Sequence, residues 1–112
     1  MHIQVINFHL NDLSETGYRA LCDEVAPAFA EVPGLISKVW LANRSTNTYG
    51  GVYTWASREA MEEFSKSELF SAVATNRNLA DITSVDFDVL EDPTSVTRGL
   101  AEVGRASCRE RV

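Results

Sequence analysis

Residues 35–56 read LISKVWLA-NRSTN-TYGGVYTWA. Two runs rich in Val, Leu, Tyr and Trp flank five polar residues, which is the pattern of a β-hairpin. Successive side chains of a strand point to opposite sides. The first run therefore sets Leu35, Ser37, Val39 and Leu41 against Ile36, Lys38, Trp40 and Ala42, and the second gathers Tyr49, Gly51, Tyr53 and Trp55 on one face.

Upstream, Tyr18, Leu21, Cys22, Val25, Phe29 and Val32 recur at steps of three and four, so one apolar stripe predicts a helix running to about Val32. Pro27 falls inside it and is expected to kink it, and Pro33-Gly34 ends it. Asp12 with Glu15 fits a capping-box variant at its start, with Ser14 a competing cap. Before that, HIQVINFHL at residues 2–10 has strand character, with Ile3, Val5, Asn7 and His9 on one face. Downstream, Ser57 caps a helix carrying Ala60, Met61 and Phe64, and a second short helix at 68–76 carries Leu69, Phe70 and Val73. Residues 82–90 alternate again, Val85, Phe87 and Val89 against Ser84, Asp86 and Asp88, and a loose terminus is expected from Thr94.

Strand, helix, strand, strand, helix, strand is an α+β order. It predicts a ferredoxin-like βαββαβ domain over residues 1–95, a four-stranded antiparallel sheet with helices on one face only. The other sheet face stays open and partly apolar, and a second copy of the chain is its expected cover.

The chain has 112 residues, 45% of them hydrophobic and 23% charged, with 16 acidic against 10 basic side chains and a net charge of −6. One hydrophobic core fits that length. So acidic a balance argues against a nucleic-acid partner and against an anionic membrane surface. No apolar run approaches membrane-span length, and no secretory signal opens the chain, so a cytoplasmic protein is expected. Residues 96–112 read as a tail. Its last part, GRASCRERV at 104–112, looks like the conceptual translation of a sequencing adapter and is set aside. That leaves Cys22 as the one cysteine of the body, too few for a disulfide framework or a cysteine metal site.

Val32-Pro33-Gly34-Leu35 through Lys38-Val39-Trp40, then Gly50-Gly51-Val52-Tyr53, then Ser57 to Phe64 resemble the YdhR-like monooxygenase family, over roughly residues 3–95. That family belongs to the dimeric α+β barrel group, alongside the antibiotic-biosynthesis monooxygenases. The resemblance implies a homodimer, a pocket between each sheet and its own helices, and oxidation of a small electron-rich aromatic by O2 without a cofactor. The haem-degrading branch of the same fold shares an Asn on the first strand and a Trp on the third. It also needs a helical His as iron ligand, where this chain has Ala74 and no His after His9.

Asn7 and His9 stand on a strand face expected to be core-facing, where polar groups must be satisfied or must serve a ligand. Asn7 binding a substrate oxygen and His9 shuttling a proton is one reading, and backbone satisfaction with a solvent-facing strand end is the other. Trp40, Tyr53 and Trp55 are expected to form an aromatic slot for a planar substrate, with Gly50 and Gly51 leaving space or forming a bulge. The catalytic reading needs Asn7, His9, Tyr53 and Trp55 to converge on one cavity. Non-catalytic binding of a small hydrophobic ligand, or isomerase or cyclase chemistry, are the rivals. Cys22 reads as a buried thiol, Lys38 as a snorkelling surface lysine, His2 as a frayed end, and Asp86 and Asp88 as a solvated face.

Overall fold

The structure is a computed structural model that describes residues 1–100. Its elements follow in the order β1 (His2–Leu10), α1 (Glu15–Ala30), β2 (Leu35–Asn43), β3 (Thr48–Trp55), α2 (Arg58–Phe64), α3 (Glu68–Ala74), β4 (Leu79–Asp88) and α4 (Glu91–Val96). The strands form one antiparallel sheet in the order β2-β3-β1-β4. β1 and β2 are thus parallel with β3 between them, and β3 and β4 are parallel with β1 between them. This is the interleaved pair of split βαβ units that the element order predicts, the ferredoxin-like arrangement. Among the described residues no helix is long and apolar enough to cross a membrane.

Local chemistry explains the element ends. Ser14, not Asp12, caps α1, its Oγ accepting from the Gly17 N–H at 3.1 Å, while Asp12 turns into the left-handed region at φ 55°. Ser57 and Ser67 cap α2 and α3 in the same way, accepting from Ala60 and Phe70. α1 stops at Ala30, two residues short of the expected Val32, and Gly34 takes φ 81° to start β2. β4 begins at Leu79 rather than Ile82. Three residues of β1 (Asn7 to His9) face four of β4 (Ala80 to Thr83), and the bulge around Asp81 at φ 56° breaks the alternation that would have revealed the strand start. The expected loose terminus from Thr94 is instead the last part of α4. Glu91 and Asp92 lie in the first turn of that helix, where Pro93 also costs no helical hydrogen bond. Residues 101–112, including the tail segment set aside above, lie outside the described residues.

The core lies between the sheet and α1, α2 and α3. Phe29, Tyr53, Trp55 and Phe64 form an aromatic cluster at its centre, with Tyr53 and Trp55 stacked at 3° and Phe64 5.2 Å from Trp55. Tyr18, Phe8 and Tyr49 make a second cluster toward the start of α1. The face of β1 that meets these helices carries His2, Gln4, Ile6 and Phe8, all buried. This overturns the expectation that Ile3, Val5, Asn7 and His9 would face the core. The β1–β3 pairing decides it, because Gln4 stands opposite Tyr53 and Phe8 opposite Tyr49, which joins their face to the aromatic face of β3. No register shift occurs at Gly50 or Gly51, so the glycine pair is not a bulge.

Candidate active site

Along the seam between α1 and β2 lie three hollows. The innermost, of ≈ 50 Å³, is walled by Phe8, Tyr18, Leu21, Cys22, Val25, Phe29, Trp40, Tyr53, Val73 and Leu79, with Lys38 as its one charged side chain. An outer groove of ≈ 400 Å³ runs from Glu15 past Cys22 to Trp40, and a second of ≈ 330 Å³ runs from Ala26 past Phe29 to Lys38. Trp40 borders all three and so forms the shared wall at the cavity mouth.

Lys38 points inward because it pairs across the hairpin with Tyr53, on the buried face of the sheet. Its Nζ lies 3.5 Å from the ring centroids of both Phe29 and Trp40, and 4.7 Å from that of Tyr53. Gly51 makes room for it, since a Cβ there would sit 2.9 Å from Lys38 Cε and 3.4 Å from Tyr53 Cε1. Burial pulls the Lys38 amine from its ordinary 10.5 down to about 7, since loss of water disfavours the ammonium and, among the described residues, no carboxylate stands near enough to restore it. Burial also raises Tyr18 and Tyr53, so both phenols stay protonated at neutral pH. The Cys22 thiol is raised by burial too, against the pull of nearby Tyr18 and Lys38.

At the outer end of the larger groove, Glu15 accepts from Tyr49 Oη at 2.7 Å, Arg19 Nε at 3.1 Å and Arg44 Nε at 3.2 Å. Arg44 and Tyr49 together hold its carboxyl at about 2. The cluster ties the start of α1 to the β2–β3 hairpin.

Of the residues expected to form the site, Trp40 and Tyr53 line the cavity and the others do not. Trp55 is fully buried behind Tyr53, its Nε1–H donating to Gln4 Oε1 at 3.1 Å, and it is no part of the cavity wall. Asn7 and His9 lie across the sheet on the open face. Asn7 Nδ2 donates to the Tyr49 carbonyl at 3.3 Å and His9 Nδ1 to the Asn47 carbonyl at 2.7 Å. The expected convergence of Asn7 and His9 with Tyr53 and Trp55 is therefore not formed. His2 is not frayed either. It is 3% exposed, with its ring nitrogens 2.6 Å from Asp86 Oδ2 and 2.9 Å from Asp88 Oδ1, so those aspartates are engaged on the helix side. Lys38 is the functional candidate that the sequence reading passed over.

A sequence profile described as putative mono-oxygenase ydhR matches residues 3–100. The chain belongs to the ydhR family. No curated protein matches it significantly. Among solved structures, the haem-degrader MhuD from Mycobacterium tuberculosis, with two haems bound in its active site, is 18% identical, with 82% of this chain and 98% of that one covered and a TM-score of 0.66. SnoaB, a cofactor-independent oxygenase from Streptomyces nogalater, is 20% identical, covering 79% and 92% with a TM-score of 0.62. A putative antibiotic biosynthesis monooxygenase from Deinococcus radiodurans is 15% identical, covering 80% and 92% with a TM-score of 0.66. At these identities the likeness is one of fold.

Haem finds no histidine to ligate its iron in this cavity. Both histidines lie on β1 outside it, and α3 ends in Ala74 with no imidazole. Among the described residues no group of three or more His, Cys, Asp or Glu side chains is placed to hold a metal ion.

Proposed function

We propose that this ydhR-family protein is a cofactor-independent monooxygenase that oxidises a small phenol or hydroquinone with O2 in the ≈ 330 Å³ groove between α1 and β2, where Lys38, Phe29 and Trp40 border both it and the inner cavity. One observation carries the reading: an amine brought near neutrality by burial is the one charged group among the described residues of a cavity walled by Phe29, Trp40 and Tyr53. The rings supply flat surface for a planar substrate. Neutral Lys38 takes the phenolic proton as general base, and the resulting ammonium pairs with the phenolate it has made. An electron-rich phenolate reduces O2. One oxygen atom enters the ring and the other leaves as water, so a phenol and O2 give a quinone and H2O with all electrons drawn from the substrate. Tyr18 and Tyr53 stay protonated and can donate to the developing oxygen anion.

Oxygen uptake by metal-stripped protein with a panel of hydroquinones and anthrones tests the reading. Uptake that Lys38→Met reduces by about a hundredfold or more supports it, the range a positioned base supplies. Tight ligand binding without uptake across the panel overturns it in favour of a non-catalytic binding module.

We further infer that two copies pair through the open sheet face. Val39, Val85 and Phe87 are 57%, 52% and 56% exposed there, an apolar surface that a monomer in water has reason to cover. Sedimentation of the wild type as a dimer, and of Val85→Glu/Phe87→Glu as a folded monomer, is the expected result.

A further inference from the structure

We propose that Lys38 is also a nucleophile, and that its ε-amine condenses reversibly with small aromatic aldehydes and ketones held in the groove that Phe29, Lys38 and Trp40 border. The geometry is that of an amine waiting for an electrophile. Nζ has aromatic rings on three sides, and no hydrogen bond or ion pair engages it among the described residues. It borders both the inner cavity and the ≈ 330 Å³ outer groove, so a planar carbonyl compound entering along the groove reaches it without crossing the core. The rings that surround the amine are equally suited to an aryl group carrying the carbonyl. Desolvated lysines in apolar pockets are the ones that form Schiff bases, because a fraction of the amine is neutral at working pH. Burial brings the Lys38 amine to about 7, so a substantial fraction of it is neutral at working pH. An unperturbed lysine is neutral to roughly one part in two thousand at pH 7.

The step balances without a co-reactant. The nitrogen lone pair adds to the carbonyl carbon, and the displaced π pair takes up a proton on oxygen, with Tyr18 and Tyr53 as protonated neighbours in the same cavity. The carbinolamine then loses water as the C=N bond forms. The rings of Phe29, Trp40 and Tyr53 around Nζ limit the approach of water to the C=N bond and so favour the imine over its hydrolysis.

Reductive trapping gives the test. The chain has only two lysines, Lys38 and Lys66, and Lys66 is exposed beside Glu63, so it serves as an internal reference. The folded protein is treated with benzaldehyde and cyanoborohydride between pH 5 and 9, and the benzyl label is located by peptide mass. Labelling of Lys38 at least tenfold faster than Lys66 at pH 7, half-maximal near that pH and lost on unfolding in urea, is expected. Lys38→Arg and Lys38→Met abolish the label, and Lys66→Arg leaves it intact. Labelling of Lys38 no faster than Lys66, or selectivity that survives unfolding, overturns the proposal. The inference uses the amine assigned above as the base, yet the two fail separately. Trapping without oxygen uptake removes the oxygenase reading alone, and uptake without trapping removes the nucleophile alone.

Discussion

Replacing Lys38 by Met should make the protein more stable at neutral and acid pH. Methionine keeps the length and apolar stem of lysine and removes the amine. In the unfolded chain Lys38 binds its proton up to about pH 10.5, whereas in the folded chain it does so only up to about 7. Between those values the unfolded state holds more protons, so wild-type stability rises with pH there and is flat below 7. Holding the ammonium in the cavity below pH 7 costs the folded state roughly 5 kcal/mol at most, at about 1.4 kcal/mol for each tenfold change. Contacts with three rings offset part of that cost, each contributing about 0.5–2 kcal/mol. With the ring contacts at the weak end of that range, the net gain for Lys38→Met at pH 6 is about 3 kcal/mol. Between pH 6 and 9.5 the gap should narrow by roughly 3 kcal/mol, because the wild-type amine is deprotonated in the folded state over most of that range.

Urea unfolding followed by far-ultraviolet circular dichroism at pH 6, 8 and 9.5 measures both quantities. Fluorescence is the poorer probe, since Trp40 lies against the mutated side chain. A Lys38→Met protein less stable than wild type at pH 6, or a gap that does not change with pH, would refute the claim that the amine is buried at a cost. The expected pairing of higher stability with lost activity also separates a functional lysine from a structural one. A side chain kept for the fold does not become dispensable to it.

Trp55→Phe removes the indole donor to Gln4 and leaves a buried carbonyl oxygen unpaired, so thermal unfolding should show a loss of about 1–3 kcal/mol while ligand affinity, read by calorimetry, stays unchanged. Glu15→Gln should alter acid unfolding. The carboxyl held at about 2 by Arg44 and Tyr49 stabilises the fold above pH 4.5 and loses that contribution as pH falls through about 2. The variant should therefore be less stable above pH 4.5 and show a flatter dependence below it in an acid titration. Gly51→Ala places a Cβ 2.9 Å from Lys38 Cε and displaces the flexible stem, so reductive labelling of Lys38 should slow by several-fold while the sheet still forms. Gly50→Ala meets the Ile6 carbonyl instead, at a backbone φ of 147°, and should fail to yield folded protein in a solubility and circular dichroism screen.

The architecture was legible in the sequence because each element carries its own local signal. A stripe at helical spacing marks α1, serines stand at three caps, and the 35–56 hairpin sets two runs rich in β-branched and aromatic residues around a polar turn. The site was less legible because it depends on which face of each strand turns inward, and that is a property of pairing. β1 carries two apolar and two polar residues on the side of Ile3, Val5, Asn7 and His9. It offers an equally mixed set, His2, Gln4, Ile6 and Phe8, on the other. Alternation alone cannot choose between two such faces. Only the contact with β3 does so, by setting Ile6 opposite Gly51 and Phe8 opposite Tyr49.

Lys38 was within reach of the same reasoning carried one step further. Its place beside Trp40 on one face of β2 follows from the alternation, and the Tyr49, Gly51, Tyr53, Trp55 face of β3 follows equally. Pairing Asn43 with Thr48 across the turn sets Ala42 against Tyr49, Trp40 against Gly51 and Lys38 against Tyr53. Paired residues share a face, so a lysine paired with the most aromatic face in the chain is bound to enter the core side. A lysine there without a carboxylate partner costs stability, which selection has no reason to retain for the fold alone. That conflict between a strand's burial pattern and one of its residues marks the cavity end of the hairpin as the place to look for chemistry.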